Sequence, residues 1–194
     1  MVFLRRDPAE DGERRIDGEH VSLRHPDFKD FQEWAELRGK SRAFLTPWEP
    51  TWAEDELSKS AFRFRVRRYL QDIEEGRAYP FFIFRRADQR LVGGATLSQV
   101  RRGAAQATTL GYWVGAPYQN RGYTTEAVRT IVQYAFEDLN LHRVEAACQP
   151  ENHPSQAVLR KAGFEYEGRA RAYLRINGAW RDHLLFSRTR PDAP

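Results

Sequence analysis

Three short β-rich runs follow one another with only turns or loops between them: Tyr79 to Arg85 (YPFFIFR), Leu91 to Val100, and Thr108 to Gly115. The polar turn Ala87 to Gln89 joins the first two, so antiparallel connection is the economical reading and the middle of the chain is sheet. A helix is predicted soon after, because Val128, Ile131, Val132, Ala135, Phe136 and Leu139 recur at i, i+3, i+4, i+7, i+8 and i+11. Glu126 falls in its first turn, where the helix dipole favours an acid.

The flanks fit around that sheet. Residues Asp7 to Gly18 are polar and read as a loose arm leading into a strand at His20 to Arg24. From Pro26 to Gly76 the pattern is helical, with Phe28, Phe31, Trp34, Ala35 and Arg38 on one stripe and Phe62, Val66, Tyr69, Leu70 and Ile73 on another. Between the stripes lies FLTPWEPTW (Phe44 to Trp52), whose two prolines forbid a regular helix. His142 to Cys148 reads as a further strand. Asn152 or His153 caps a short helix that Pro154 opens and Gly163 closes. Tyr173 to Ile176 and Ala179 to Arg188 flank Asn177-Gly178, a strong hairpin signal. A chain of 194 residues with 41% hydrophobic content can bury one proper core. The expected organisation is an arm at 1–18, a single domain at 19–190 and a tail at 191–194.

Composition removes several classes of function. Cys148 is the only cysteine, which excludes an intramolecular disulfide and a thiolate zinc site, and no metal is expected. The amino terminus turns charged within a few residues and no run approaches membrane-spanning length, so a cytoplasmic protein with neither membrane nor DNA as partner is expected. A net charge of +4 permits attraction to phosphates without requiring it. Arg63, Arg65, Arg67, Arg68 and Arg77 form a basic region that reads first as a solvated helix face and second as a guide for an acidic peptide or ribosomal RNA.

The stretch Gln119-Asn120-Arg121-Gly122-Tyr123-Thr124 stands between a strand and an amphipathic helix. That order gathers free backbone N–H groups and the positive end of a dipole at one place, a fit for phosphate. Gly122 permits close backbone approach and Arg121 can add a charged contact. An ordinary strand-to-helix turn is the plain alternative. Neither the Gly-Lys-Ser/Thr ending of a Walker loop nor the three spaced glycines of a Rossmann fingerprint occurs, which argues against nucleoside triphosphates and dinucleotides.

Gln119-x-x-Gly122, together with PWEP (Pro47 to Pro50), LGYWV (Leu110 to Val114), HRVEA (His142 to Ala146), NHPSQAVLRKAGF (Asn152 to Phe164) and EGRARAYLRINGAWRDH (Glu167 to His183), resembles the GNAT family of N-acetyltransferases. Within that family the likeness is to the RimJ-type ribosomal-protein alanine N-acetyltransferases. The likeness runs from about His20 to Arg188, and Thr124 departs from the small residue usual at its position. The resemblance implies the α/β acyl-CoA N-acyltransferase fold: a mixed, mostly antiparallel twisted sheet flanked by helices, with splayed central strands. It further implies acetyl-CoA as cosubstrate, its pantetheine bonded by backbone groups of Tyr112, Trp113 and Val114 like an added strand. Its pyrophosphate would rest on the turn from Gln119 and Asn120 through Arg121, Gly122, Tyr123, Thr124 and Thr125. On this reading Gly122 is a glycine because a side chain would take the space of the pyrophosphate.

Acetyl transfer needs a neutral amine, support for the oxyanion, and a proton for the thiolate. Thr109 stands where relatives often carry an acid, so a strong base is missing there. An α-amine, with a pKa of roughly 8 against about 10.4 for lysine, costs about 3 kcal/mol less to deprotonate at neutral pH. A protein N terminus, with alanine of a ribosomal protein as the case in view, is therefore expected over a lysine side chain. Glu49 is the candidate for gripping the ammonium or relaying its proton, with an exposed loop acid as the alternative. Ser155 is placed by the resemblance at the CoA sulfur, with a local helix cap as the alternative. Asn152 would bond the pantetheine or orient its loop, and Tyr173 is a second possible proton donor. His183 and Cys148 read as packing residues. Rival functions are the same fold acting on a small amine such as an antibiotic, polyamine or amino acid, and a CoA-binding or ribosome-associated module without catalysis.

Overall fold

The three central runs are strands β3 (Tyr79–Arg85), β4 (Arg90–Arg101) and β5 (Ala107–Val114), paired antiparallel in sequence order. The computed structural model describes residues 15–191, and every structural statement below concerns those residues. Ahead of the central strands come β1 (Arg15–Asp17), β2 (Val21–Arg24), α1 (Phe31–Lys40), a short α2 (Arg42–Leu45) and α3 (Lys59–Glu74). Behind them come α4 (Tyr123–Glu137), β6 (Arg143–Cys148), α5 (His153–Lys161), β7 (Glu165–Ile176) and β8 (Ala179–Thr189). The strands form one sheet in the order β1-β2-β3-β4-β5-β6-β8-β7. Only β5 and β6 run parallel, because α4 carries the chain back between them.

Helices cover both faces. On one, Val128, Ile131, Val132 and Ala135 of α4 and Leu159 of α5 pack on Val144, Ala146 and Phe186 of the strands. On the other, Trp34 and Leu37 of α1 and Phe62 and Val66 of α3 pack on Phe82, Phe84 and Leu91. The α4 stripe is buried as its spacing predicts, whereas the α3 stripe is buried only at Phe62 and Val66, and Leu70 faces solvent. The two prolines of Phe44 to Trp52 end α2 in a single 3-10 turn, Thr46–Trp48.

Two boundaries differ from the sequence reading. The arm expected to be loose up to Gly18 ends in strand β1, which pairs with β2 through Ile16 and Leu23; residues 1–14 and 192–194 lie outside the described range. The strand expected from Tyr173 begins at Glu165, eight residues earlier, and follows β8 with two register shifts. Its exposed, charged run EYEGRAR lacks the alternation that marks a half-buried strand.

Candidate active site

The opening of the sheet comes from an incomplete ladder. Ala107, Thr108 and Thr109 of β5 pair with Arg143, Val144 and Glu145 of β6, and there the pairing stops, although β5 continues to Val114 and β6 to Cys148. Beyond Thr109 each strand keeps its outer partner, β4 for one and β8 for the other, so the edges that face each other are free. Main-chain groups from Leu110 to Val114 thus offer an extended ligand an unpaired strand edge. Tyr112, Trp113 and Val114, expected to hold a pantetheine, lie on that edge. Gly111, in the middle of a central strand, is exposed, and a Cβ built there would meet nothing within 4 Å.

At the far end of the opening the chain turns through Gln119 to Gly122 into α4. Asn120 and Gly122 both have positive φ, 58° and 83°. No side chain caps the helix, and its first amide with a carbonyl partner is Glu126, which donates to Gly122 O at 3.1 Å. The N–H groups before it point away from the helix and remain for a ligand. The observed reason for glycine at 122 is conformational: φ is left-handed, while the space before its Cα is open. That open cradle and the free strand edge suit a diphosphate joined to an extended arm.

Ser155 sits one turn into α5, beside the opening. Asn152 accepts the Ser155 N–H on its side-chain oxygen at 3.1 Å, so Asn152 is the helix cap in the way its residue type predicts. The Ser155 hydroxyl lies 2.8 Å from the Tyr112 hydroxyl. Burial pushes the Tyr112 phenol well above its ordinary pKa, so it stays protonated and can donate. The same phenol donates to Ser155 O at 3.2 Å, and the Ser155 hydroxyl also bonds the Cys148 thiol, so the three side chains form one cluster beside the opening. Cys148 is buried nearby; burial raises its pKa, against a smaller lowering by Ser155, and it remains a thiol. The side chain of Tyr112 carries no signal in the sequence beyond its place in LGYWV.

Glu49 and Tyr173 lie on the opposite face, and neither touches this trio. Strand alternation turns Thr109, Gly111 and Trp113 to the α1 and α3 side, while Tyr112 packs on the α4 side. Glu49 is heavily engaged: Arg38 Nη1 donates to its Oε1 and Arg38 Nη2 to its Oε2, both at 2.7 Å, and Trp52 Nε1 donates to Oε2 at 2.8 Å. The Glu49 carbonyl accepts from Asn177 at the tip of the β7–β8 hairpin, and Gln149 donates to Pro47 O, both at 2.9 Å. The PWEP loop is thereby tied to α1, to the end of β6 and to the hairpin. Tyr173 is 46% exposed, its ring edge-on to His183. The His183 ring bonds Arg181 O at 3.0 Å, a local contact. Glu145, registered beside Thr109, is held by Arg101 and Arg143.

Known proteins match this arrangement along nearly its full length. The family profile described as "Acetyltransferase (GNAT) domain" matches residues 20–165. "Probable N-acetyltransferase YjcK" of Bacillus subtilis is 37% identical over 177 residues, 91% of this chain and 98% of the relative. The ribosomal protein uS5-alanine N-acetyltransferase of Escherichia coli is 33% identical over 178 residues, 92% of each chain. Mycobacterium smegmatis RimJ, solved in complex with CoA-disulfide, superposes with a TM-score of 0.83 at 35% identity, over 87% of this chain and 81% of that one.

Proposed function

This chain belongs to the GNAT acetyltransferase family and is an acetyl-CoA-dependent N-acetyltransferase; we propose that its acceptor is the α-amino group of a protein N terminus, with the N-terminal alanine of a ribosomal protein as the first candidate. The observation that carries the proposal is the state of the acids on the face that bears exposed Gly111. Glu49 and Glu145 are both paired with arginines, and Thr109 has no charge. Both carboxylates already accept hydrogen bonds from those guanidiniums, so fewer of their lone pairs remain for a proton of the amine. An amine that is already partly neutral at pH 7 suits such a site, and an α-amine is that amine. The names of relatives from E. coli and M. smegmatis point the same way.

On this proposal acetyl-CoA supplies the activated acyl carbon, and the chain supplies position and protons. The amides from Arg121 to Thr125 hold the diphosphate, with Gln119 and Asn120 shaping the turn, and the free edge from Tyr112 to Val114 takes the pantetheine. Asn152 fixes the start of α5, and the Ser155 hydroxyl donates a hydrogen bond to the departing thiolate, which takes up the proton that the amine loses on becoming an amide. Glu49 offers an anion to the incoming ammonium from the other face, and Tyr173 borders that approach. The domain includes β1 and so begins no later than Arg15, and it runs to about residue 190. Two peptides, each with one internal lysine and with a free or a blocked N terminus, separate the alternatives. Mass spectrometry is expected to find one acetyl group on the first peptide and none on the second. Equal modification of both, on lysine, overturns the proposal.

A further inference from the structure

We infer that Arg38 is a positioning residue for the acceptor, acting through Glu49 to fix where the one uncommitted lone pair of that carboxylate points. Arg38 lies near the end of α1 and is 5% exposed. A guanidinium so deeply placed must be compensated, because desolvating an unpaired charge is costly. Glu49 does this alone: it takes both terminal nitrogens, and Arg38 Nε has no hydrogen-bond partner. The guanidinium carbon stands 4.3 Å from the ring centroid of Trp52 and 4.9 Å from that of Trp113. It therefore connects the PWEP loop to strand β5, two residues beyond exposed Gly111.

A carboxylate has about four acceptor sites. Arg38 and Trp52 fill one on Oε1 and two on Oε2, leaving one on Oε1, and the Glu49 side chain is 20% exposed. That remaining site is what an ammonium can meet. Its direction is set by the bidentate fork, which a lysine cannot reproduce. With three of its four acceptor sites filled, Glu49 offers the ammonium a single hydrogen bond. Loss of the fork accordingly weakens acceptor binding more than it slows the chemistry.

The inference rests on the α-amine proposal, and its test has separate readouts. Arg38→Lys and Arg38→Met are compared with the wild type in steady-state kinetics at saturating acetyl-CoA. The acceptor KM is expected to rise by about ten-fold or more, with kcat and the KM for acetyl-CoA within about two-fold. Arg38→Lys, which keeps the charge, recovers part of the loss. Amide exchange at Asn177, which donates to the Glu49 carbonyl, is expected to quicken in both variants and needs no acceptor. An unchanged acceptor KM, or a common fall in kcat and both KM terms that follows thermal stability, overturns the role. If the wild type prefers lysine or a small amine, the α-amine proposal fails. The same series on that amine then decides the role of Arg38, and in the absence of any turnover unchanged Asn177 exchange overturns it.

Discussion

The contact between Tyr112 and Ser155 gives the residue scale its sharpest consequence. Two hydroxyls 2.8 Å apart share one hydrogen bond in which either can donate, and the phenol also donates to Ser155 O at 3.2 Å. Ser155→Ala removes the hydroxyl that supports the thiolate and is expected to lower kcat about 100-fold, in the usual range for a hydrogen-bond donor to a developing anion, with the KM for acetyl-CoA nearly unchanged. Tyr112→Phe leaves the serine in place and is expected to cost about ten-fold. Single-turnover rates of the two variants check the order, and an undiminished rate for Ser155→Ala removes the serine from the chemistry. The sequence identified Ser155 only through resemblance, since a serine one turn into a helix has a sufficient local explanation. Arg38 was visible in another way. It occupies an apolar-stripe position on α1, which places it toward the core without saying what its charge meets there. What spacing could not supply was the partner, because Glu49 sits eleven residues on, past a proline.

At the scale of elements, Glu126 shows how a local preference becomes a tertiary contact. Its carboxylate does favour the first turn of α4, as an acid should. It also accepts the amides of His20 at 2.7 Å and Val21 at 3.1 Å, holding the β1–β2 turn against the helix. Glu126→Ala leaves those amides without their charged acceptor and is expected to cost about 2 kcal/mol of stability. Faster hydrogen exchange at His20 and Val21 should accompany the loss, and unchanged stability would show that the turn holds without it. Legibility varied between elements for the same kind of reason. The stripe of α4 was readable because one side is consistently buried, and β3 because its apolar run is buried on both sides, Phe81 and Ile83 in one layer and Phe82 and Phe84 in the other. The first half of β7, an edge strand of exposed charged residues, and the three-residue β1 have no such side, and each takes its place by pairing with the next strand in the chain. The Asn177-Gly178 turn was readable because both residues take positive φ, 43° and 82°, which few others accept.

For the molecule as a whole, the parting of β5 from β6 interrupts one ladder between two well-packed layers. The core under α4 and α5 spans the parting, with Leu110 and Tyr112 from one strand and Val144, Ala146 and Cys148 from the other. A ligand that bonds the free edge completes the ladder, so occupancy should stabilise the whole fold rather than a loop. Free coenzyme A at 100 times its Kd adds about 2.7 kcal/mol if it binds only the native state. For a chain of this length each kcal/mol moves Tm by roughly 2 to 4 °C, so a rise of about 5 to 11 °C is expected. Gly122→Trp puts a large side chain on a left-handed φ of 83° at the diphosphate turn. It should abolish the rise while costing far less Tm in the ligand-free protein. Differential scanning of both proteins across a coenzyme A titration measures the two effects separately. An equal rise in the variant would mean that the diphosphate lies elsewhere, and the turn after β5 would then be only a connection between strand and helix.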